Sequence, residues 1–368
     1  MANPVGAGAG GMGAPHTWPG VLESMDGLPF PELADSRETW VQTPIGQRRM
    51  VTTLTGESFV LLDSLQISPD REVHMGWKGH FGDLIQVIEP HTLRLRVDIQ
   101  DPVRVAIKSK ELRLLRNNPN AENAFREIAV MQRNLASAPD MPNGCDYVIR
   151  LVAACLSETH LHIITPFHSR GNLLAQFSEY EGIREPRVQT WFRQILTGLA
   201  FIHRQGFCHH DLSPENVVIT GDESVAIVMD FGMVQRLNWN GMGEVVPRLD
   251  PQVFGKMKYM APEIFHRQEY DGRKIDIWSV GVMLLVCVAG EYPWDAPVAA
   301  ATEQYGSSKI WRYGYLVDHG PEPLLRRMSL YPQRLSASEF HLLCTLLVVD
   351  PANRPSSATE LANHHFFT

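Results

Sequence analysis

Two acids and an amide stand at a spacing that could support metal-assisted phosphoryl transfer. Asn216 follows Asp211 by five positions, and Asp230 follows Asp211 by nineteen. An acid and an amide five residues apart can lie on one loop. An acid on a second loop, after a short hairpin, can then hold a metal ion beside them. Moving a phosphoryl group from a nucleotide to a hydroxyl requires positioning and charge neutralisation more than covalent chemistry. The spacing therefore indicates a candidate site for this chemistry.

The elements that must position these residues fall into two regions. Residues 103–108 alternate between apolar and polar side chains as a strand does, and residues 120–136 place apolar side chains at helical spacing with Glu127 beside them. Farther along, a helix is predicted after Pro186, and residues 217–229 predict a hairpin with a Gly-Asp turn. The first region is therefore strand-rich, and the second is mainly helical.

The motifs, taken together, resemble those of the eukaryotic protein kinases of the serine/threonine type, which transfer phosphoryl groups. The stretches that carry the resemblance are Val105-Ala106-Ile107-Lys108, His209-His210-Asp211-Leu212-Ser213-Pro214-Glu215-Asn216, Asp230-Phe231-Gly232, Ala261-Pro262-Glu263, Asp276-Ile277-Trp278-Ser279-Val280-Gly281 and Asp350-Pro351-Ala352-Asn353-Arg354-Pro355. The resemblance implies an α+β, bilobal protein-kinase-like fold. A small antiparallel-sheet N-lobe would cover about residues 58–166, and a mainly helical C-lobe about residues 167–366. Residues 1–57 are predicted to be a tail or linker that is at least partly disordered, although residues 21–55 could instead pack on the domain.

The resemblance also implies roles for the loop residues. Asp211 would be the catalytic base that orients the substrate hydroxyl. Asn216 and Asp230 would bind Mg²⁺, which prefers oxygen ligands. His209 would be a packed structural residue that stacks on Phe231.

The nucleotide, ATP, would lie between the lobes. Lys108 would hold its α- and β-phosphates, with Glu127 as the partner of Lys108 on the following helix. Lys110 and Glu122 are the alternative pair, although both lie off the matching register.

Further residues are predicted to contact the adenine or the phosphates. Ala106 and Val218 would lie above and below the adenine ring, and Thr165 and Phe167 would lie on the strand beside it. Residues 77–84 resemble the glycine-rich loop that covers the phosphates, where glycines let backbone amides approach the oxygens. The loop residues concerned are Gly79, Phe81, Gly82 and Leu84, while Trp77 stands where the first glycine is expected.

Three members of the motif set are structural. Glu263 would form an ion pair with Arg354, and Asp276 would brace the backbone of the catalytic loop. Small-molecule kinases of related fold generally lack these features, so a small-molecule phosphotransferase is disfavoured.

Several departures from the family pattern carry information. His210 replaces the arginine that normally receives an activation-segment phosphate, and no Ser, Thr or Tyr occurs between Phe231 and Lys258. Activity is therefore predicted not to depend on phosphorylation of that segment. Ser213 replaces the lysine of the catalytic loop, whereas Lys256 replaces a threonine that lies near it in the family. We predict that Lys256 takes over the role of the missing lysine; the alternative is that it points to solvent.

Net charge, cysteine content and hydropathy limit the kinds of partner and cellular location that this chain is expected to have. The net charge of −8 argues against general nucleic-acid binding. Five widely spaced cysteines without a CxxC motif predict reduced core residues. Residues 1–20 lack the pattern of a signal peptide, and the apolar run at residues 280–289 is too short to span a bilayer. A cytoplasmic kinase acting on protein substrates, without a membrane partner, is therefore expected. A pseudokinase that serves as a scaffold remains the alternative, because of the departures above.

Overall fold

The computed structural model describes most of the chain from Leu33 onward. The residues that it describes are 33–43, 46–68, 71–80, 85–89, 92–95, 103–117, 123–135, 144–176, 182–183, 185–249, 255–297 and 309–368.

The first lobe is built around a nine-stranded sheet. Its strands are β1 (Ala34–Thr43), β2 (Gly46–Thr53), β3 (Glu57–Ser68), β4 (Arg71–His80), β5 (Ile85–Glu89), β6 (Thr92–Leu95), β7 (Val103–Glu111), β8 (Ala153–Leu156) and β9 (His160–Pro166). Two helices, α1 (Leu112–Asn117) and α2 (Ala124–Leu135), lie between β7 and β8 in the chain. The side chain of Asn123 accepts a hydrogen bond from the backbone N–H of Arg126 at 3.0 Å, which caps the start of α2.

Seven of the strands close into a ring. The order is β2-β3-β4-β7-β9-β8-β1, and β1 also pairs along its length with β2. The contact between β1 and β8 is parallel and involves Ala34 with Cys155 and Asp35 with Leu156. The prediction of an antiparallel sheet agrees with most of these pairings, but the sheet also closes on itself and contains parallel contacts of β1 with β6 and β8. Closure leaves the ring without an open edge.

The interior of the ring is apolar at its centre. Alternation along β7 directs Val105 and Ile107 inward, where both are buried, and leaves Ala106 and Lys108 on the opposite face. The buried side chains that fill this interior are Val51, Phe59, Leu61, Val105, Ile107, Cys155 and Ile164. The ring therefore has its own small core, and the outward face of β7 is available to line a site.

A polar cluster of Glu38, Ser157, His160 and His162 connects β1 to β9 inside the ring. The carboxylate of Glu38 hydrogen-bonds with Ser157 Oγ at 2.6 Å, His160 Nδ1 at 3.1 Å and His162 Nε2 at 3.2 Å. Burial opposes ionisation of Glu38, but the hydrogen bonds from the two histidines and the serine hold its pKa well below the usual range. Residues 34–43 and 46–53 are therefore part of the sheet. This agrees with the alternative in which residues 21–55 pack on the domain and corrects the prediction of a tail or linker there; residues 1–32 lie outside the described part.

The second lobe is mainly helical. Its helices are α3 (Glu185–Arg204), α4 (Pro262–Phe265), α5 (Gly272–Ala289), α6 (Ile310–His319), α7 (Pro321–Arg327), α8 (Ala337–Leu346) and α9 (Ala358–Ala362). The short strands are β10 (Phe207–Cys208), β11 (Val217–Ile219), β12 (Ala226–Val228) and β13 (Gln235–Arg236), and three 3₁₀ turns span Leu173–Gln176, Pro214–Asn216 and His365–Phe367. The pair β11–β12 is the predicted hairpin.

Helix α5 is the centre of this lobe. Asp271 caps its start by accepting a hydrogen bond from Arg273 N, and Gly290 ends it with a φ of 73°, a left-handed conformation that favours glycine. Nearly every residue from Ile275 to Ala289 is buried, so the helix packs against neighbours on all sides. Among the described residues, no helix has both the length and the apolar composition needed to cross a membrane. The five cysteines are free, and all except Cys344 are buried.

Candidate functional site

A cleft between the lobes brings most of the predicted nucleotide-binding residues together. Its cavity has a volume of about 470 Å³, which is within the range of small-ligand sites. All four predicted adenine contacts line this cavity. Ala106 belongs to β7, Thr165 to β9 and Val218 to β11, while Phe167 directly follows the end of β9. Lys108, Glu127 and Asp230 line the polar end of the same cavity.

The polar end of the cleft is an ion-pair network centred on Lys108. Its ammonium group donates to both carboxylate oxygens of Glu127 at 3.0 Å and to Asp230 Oδ1 at 2.9 Å. Lys108 is held by β7 and Glu127 by α2, so the pair connects the sheet to the helix. The structure thus joins Lys108 with Glu127; Glu122, from the alternative pair, lies outside the described residues.

Asp230 lies beside two cations. Besides Lys108, Arg71 places its guanidinium nitrogen 3.7 Å from Asp230 Oδ2. Burial opposes ionisation of Asp230, but the charges of Lys108 and Arg71 hold its pKa well below the usual range. Asp230 is therefore a carboxylate at neutral pH. Its backbone is left-handed, with a φ of 63°, a conformation that Asp tolerates better than most residues.

The carboxylate of Asp276, on α5, holds the backbone of the loop that carries Asp211. The two oxygens of Asp276 accept the backbone N–H groups of His209 at 2.8 Å and His210 at 2.9 Å, and His203 Nε2 lies 2.9 Å from the same carboxylate. His210 has a φ of 65°, so these bonds hold a strained backbone. The predicted bracing role of Asp276 agrees with this geometry.

His209 packs as predicted. Its ring lies 5.4 Å from that of Phe231, and its Nε2 is 3.0 Å from the backbone oxygen of Met229. It therefore links the loop of Asp211 to the loop of Asp230.

Asp211 and Asn216 face each other across the catalytic loop. The amide nitrogen of Asn216 donates to the backbone oxygen of Asp211 at 2.7 Å and to its Oδ2 at 2.8 Å. Because the amide nitrogen is used in this way, the amide oxygen of Asn216 is the atom that could bind a metal. Together with the carboxylate of Asp230, it supplies the oxygen donors that suit Mg²⁺.

Lys256 points into this loop. Its backbone N–H donates to Asp211 Oδ1 at 3.0 Å, and its ammonium group lies 3.2 Å from Asp211 Oδ2 and 2.8 Å from Ser213 Oγ. The Nζ atom of Lys256 is thus next to the side chain that replaces the lysine of the family. The alternative in which Lys256 points to solvent does not agree with these contacts.

The predicted ion pair between Arg354 and Glu263 is formed and buried. Arg354 donates to Glu263 at 2.6 and 3.2 Å, and the guanidinium lies over the ring of Trp278 at 4.9 Å. The pair connects α4, which follows the segment of Lys256, to the segment between α8 and α9.

The structure places Gly79, from the predicted glycine-rich loop, at the end of β4 that lies away from Lys108. Gly79 lies within β4, where it pairs with Ser58 and follows Lys78, which faces Val103 at the start of β7. Lys108 is instead opposite Val73, near the other end of β4. Gly79 is therefore remote in register from Lys108, and it is not among the residues that line the cleft. Phe81, Gly82 and Leu84 lie outside the described residues.

The end of β3 and the start of β4 face the cleft. Gln66, Arg71 and Val73 line the cavity, and Ser68 pairs with Arg71 where the two strands meet. Sequence reasoning missed Gln66 and Arg71 as site residues. The Ser-Pro-Asp turn signal at residues 68–70, between two strand-like runs, could have indicated this connection.

Comparison with known proteins agrees with this geometry. A family model described as "Protein kinase domain" matches residues 92–367, three quarters of the chain. The chain belongs to the protein kinase family. The match begins after β5, so β1 to β5 lie outside it.

Curated relatives are kinases of the serine/threonine type. Serine/threonine-protein kinase SRK2I of Arabidopsis thaliana is 30% identical over 247 residues, which are 67% of this chain and 60% of that protein. Serine/threonine-protein kinase SRK2E of the same plant is 29% identical over 275 residues, which are 74% of this chain and 67% of that protein. Serine/threonine-protein kinase SAPK3 of Oryza sativa subsp. indica is 29% identical over 275 residues, 74% of this chain and 72% of that protein. The match with SRK2I thus spans less than two thirds of that relative, and the comparisons confirm the predicted family.

Proposed function

We propose that this kinase transfers the terminal phosphoryl group of ATP, with Mg²⁺, to Ser or Thr hydroxyls of protein substrates. The observation that carries the proposal is the joint presence of the Lys108–Glu127 ion pair and Asp230 at the polar end of the cleft, with the Asp211–Asn216 pair beside them. The backbone oxygen of Asn216 accepts a hydrogen bond from the backbone N–H of Met229, the residue before Asp230. Kinase activity requires both the lysine–glutamate pair and the metal-binding aspartate to be in place.

Each residue has a part in this function. ATP supplies the phosphoryl group, and Mg²⁺ neutralises its charge. Asn216 and Asp230 would hold the metal, and Lys108 would hold the phosphates. Asp211 would orient the substrate hydroxyl and accept its proton as the oxygen attacks. Ala106 and Val218, which both line the cleft, would contact the two faces of the adenine.

Transfer of labelled phosphate from ATP to a generic basic protein tests the proposal. We expect transfer that stops when EDTA removes the metal, with label on serine or threonine after acid hydrolysis. A folded protein that binds ATP but transfers no phosphate, or that labels only tyrosine, would contradict it.

We further propose that activity does not require phosphorylation of the activation segment. His210 stands where a phosphate-binding arginine is expected, and its ring packs on Tyr270 with centroids 5.3 Å apart. Burial lowers the pKa of His210 to about 4, so the imidazole is uncharged at neutral pH and would not form an ion pair with a phosphate. The segment between Phe231 and Lys258 also offers no hydroxyl to modify.

Phosphatase treatment of the native chain is the corresponding experiment. We expect kcat to stay within about twofold of the untreated value, with mass spectrometry confirming that any phosphate has been removed. Loss of turnover together with a phosphosite mapped to the activation segment would contradict the prediction.

A further inference from the structure

The sequence that joins β3 to β4 contains no glycine. Residues 65–73 read Leu-Gln-Ile-Ser-Pro-Asp-Arg-Glu-Val, although the start of β4 is the end that faces Lys108, since Val73 pairs with Lys108. Glycines at such a position allow backbone amides to approach phosphate oxygens closely. Without them, contacts to an anion in this part of the cleft fall to side chains.

Arg71 is the cationic side chain that this connection supplies. It begins β4, its side chain is only 17% exposed, and its NH1 atom lies 3.7 Å from Asp230 Oδ2. The other oxygen of Asp230 is 2.9 Å from Lys108 Nζ. Two cations from neighbouring strands therefore converge on one carboxylate at the polar end of the cleft.

Metal binding would change this arrangement. A divalent ion on Asp230 competes with both cations for the carboxylate. Lys108 retains Glu127, whose two oxygens it contacts at 3.0 Å. The guanidinium of Arg71 has a planar fork of N–H donors that matches phosphate oxygens and carries a full charge in a partly buried site.

We propose that Arg71 binds the terminal phosphates of the nucleotide, in place of the backbone amides of a glycine-rich loop. The inference rests on the proposed ATP-dependent function. In other kinases a glycine-rich loop covers the phosphates, whereas here a side chain of β4 would contact them. Because Arg71 acts through its charge, it should affect binding of the phosphates and not of the adenine.

Calorimetric binding of ATP, ADP and adenosine to the full chain in the presence of Mg²⁺ tests this role. Arg71→Met keeps an unbranched, flexible side chain but removes the guanidinium group and its charge. We expect it to weaken ATP binding about ten- to a hundredfold, to weaken ADP binding less, and to leave adenosine binding unchanged. Arg71→Lys keeps the charge without the fork and should fall between. The control is Arg113→Met, since the Arg113 side chain is 77% exposed.

The outcomes separate this inference from the function on which it rests. ATP binding that Arg71→Met leaves unchanged or strengthens would overturn the inference alone, because the native protein would still bind ATP. An equal loss of ATP and adenosine affinity would also overturn it, since that pattern indicates a structural role. A native chain that binds no ATP would overturn the proposed function, and the inference with it.

Discussion

Replacement of Asp211 by Asn is expected to lower the rate of phosphoryl transfer about a hundredfold to ten-thousandfold, the range that a positioned general base contributes. The substitution preserves the shape of the side chain but removes the carboxylate that would accept the substrate proton. In the native protein Asp211 Oδ2 accepts from Asn216 Nδ2 at 2.8 Å, and Asp211 Oδ1 accepts from Lys256 N at 3.0 Å. The asparagine amide replaces one of these accepting oxygens with an NH₂ group. We expect kcat to fall while the affinity for ATP changes little.

The measurement is labelled phosphate transfer under saturating ATP, with Asp318→Asn as the control. Asp318 is an exposed acid on α6, so its substitution removes the same charge far from the cleft. An Asp211→Asn protein that keeps more than about half of the native kcat would show that this carboxylate is not the base. A thermal unfolding curve close to that of the native protein would exclude loss of fold as the cause of inactivity.

Removal of the ammonium group of Lys256 is expected to produce the second large effect. In Lys256→Ala the backbone N–H remains able to donate to Asp211 Oδ1, so the substitution removes only the side chain, whose ammonium group lies 3.2 Å from Asp211 Oδ2 and 2.8 Å from Ser213 Oγ. A cation beside the reacting group stabilises the charge that develops during transfer. We expect kcat to fall about ten- to a thousandfold, with the KM for ATP nearly unchanged.

Two further variants make this test specific. Lys258→Ala is the matched control, because Lys258 belongs to the same segment but lies 3.8 Å from Asp295 and is 42% exposed. The double variant Ser213→Lys, Lys256→Thr restores the lysine of the family pattern on the other loop. It should retain more activity than Lys256→Ala. Unchanged kcat in Lys256→Ala would remove the catalytic role of this residue.

The parts of the site that are close in sequence could be predicted from the sequence. Asp211 and Asn216 belong to one loop, and a short hairpin fixes where Asp230 returns. Local spacing therefore determines most of their geometry. The partner of Lys108 could also be predicted, because helical periodicity places Glu127 on the face of α2 that meets β7.

Which end of β4 lies beside the cleft could not be predicted in the same way. Gly79 and Gly82 made residues 77–84 resemble a phosphate-binding loop, but the position of that loop depends on strand register. Only the pairing of Val73 with Lys108 shows which end of β4 faces the site. Register depends on contacts between residues that are distant in sequence, and glycine content does not encode it.

The closure of the sheet was missed for a different reason. Most side chains of β1 are exposed or half-buried, so the hydrophobic alternation that identifies a strand is weak there. What fastens β1 is the contact of Glu38 with Ser157, His160 and His162, more than a hundred residues farther along the chain. A hydrophobic pattern does not reveal such polar partners.

The closed ring also means that the folded domain, which includes β1 from Ala34 onward, is larger than the part of the chain that the family model matches, residues 92–367. A shortened chain beginning at Thr92, where the family match starts, would lack four of the seven ring strands. It would leave the edges of β7 and β8 without their partners and expose the apolar interior around Ile107 and Ile164. Unpaired edges of this kind promote aggregation. For this kinase, a working catalytic fragment must therefore retain the strands that begin at Ala34, although the family match begins only at residue 92.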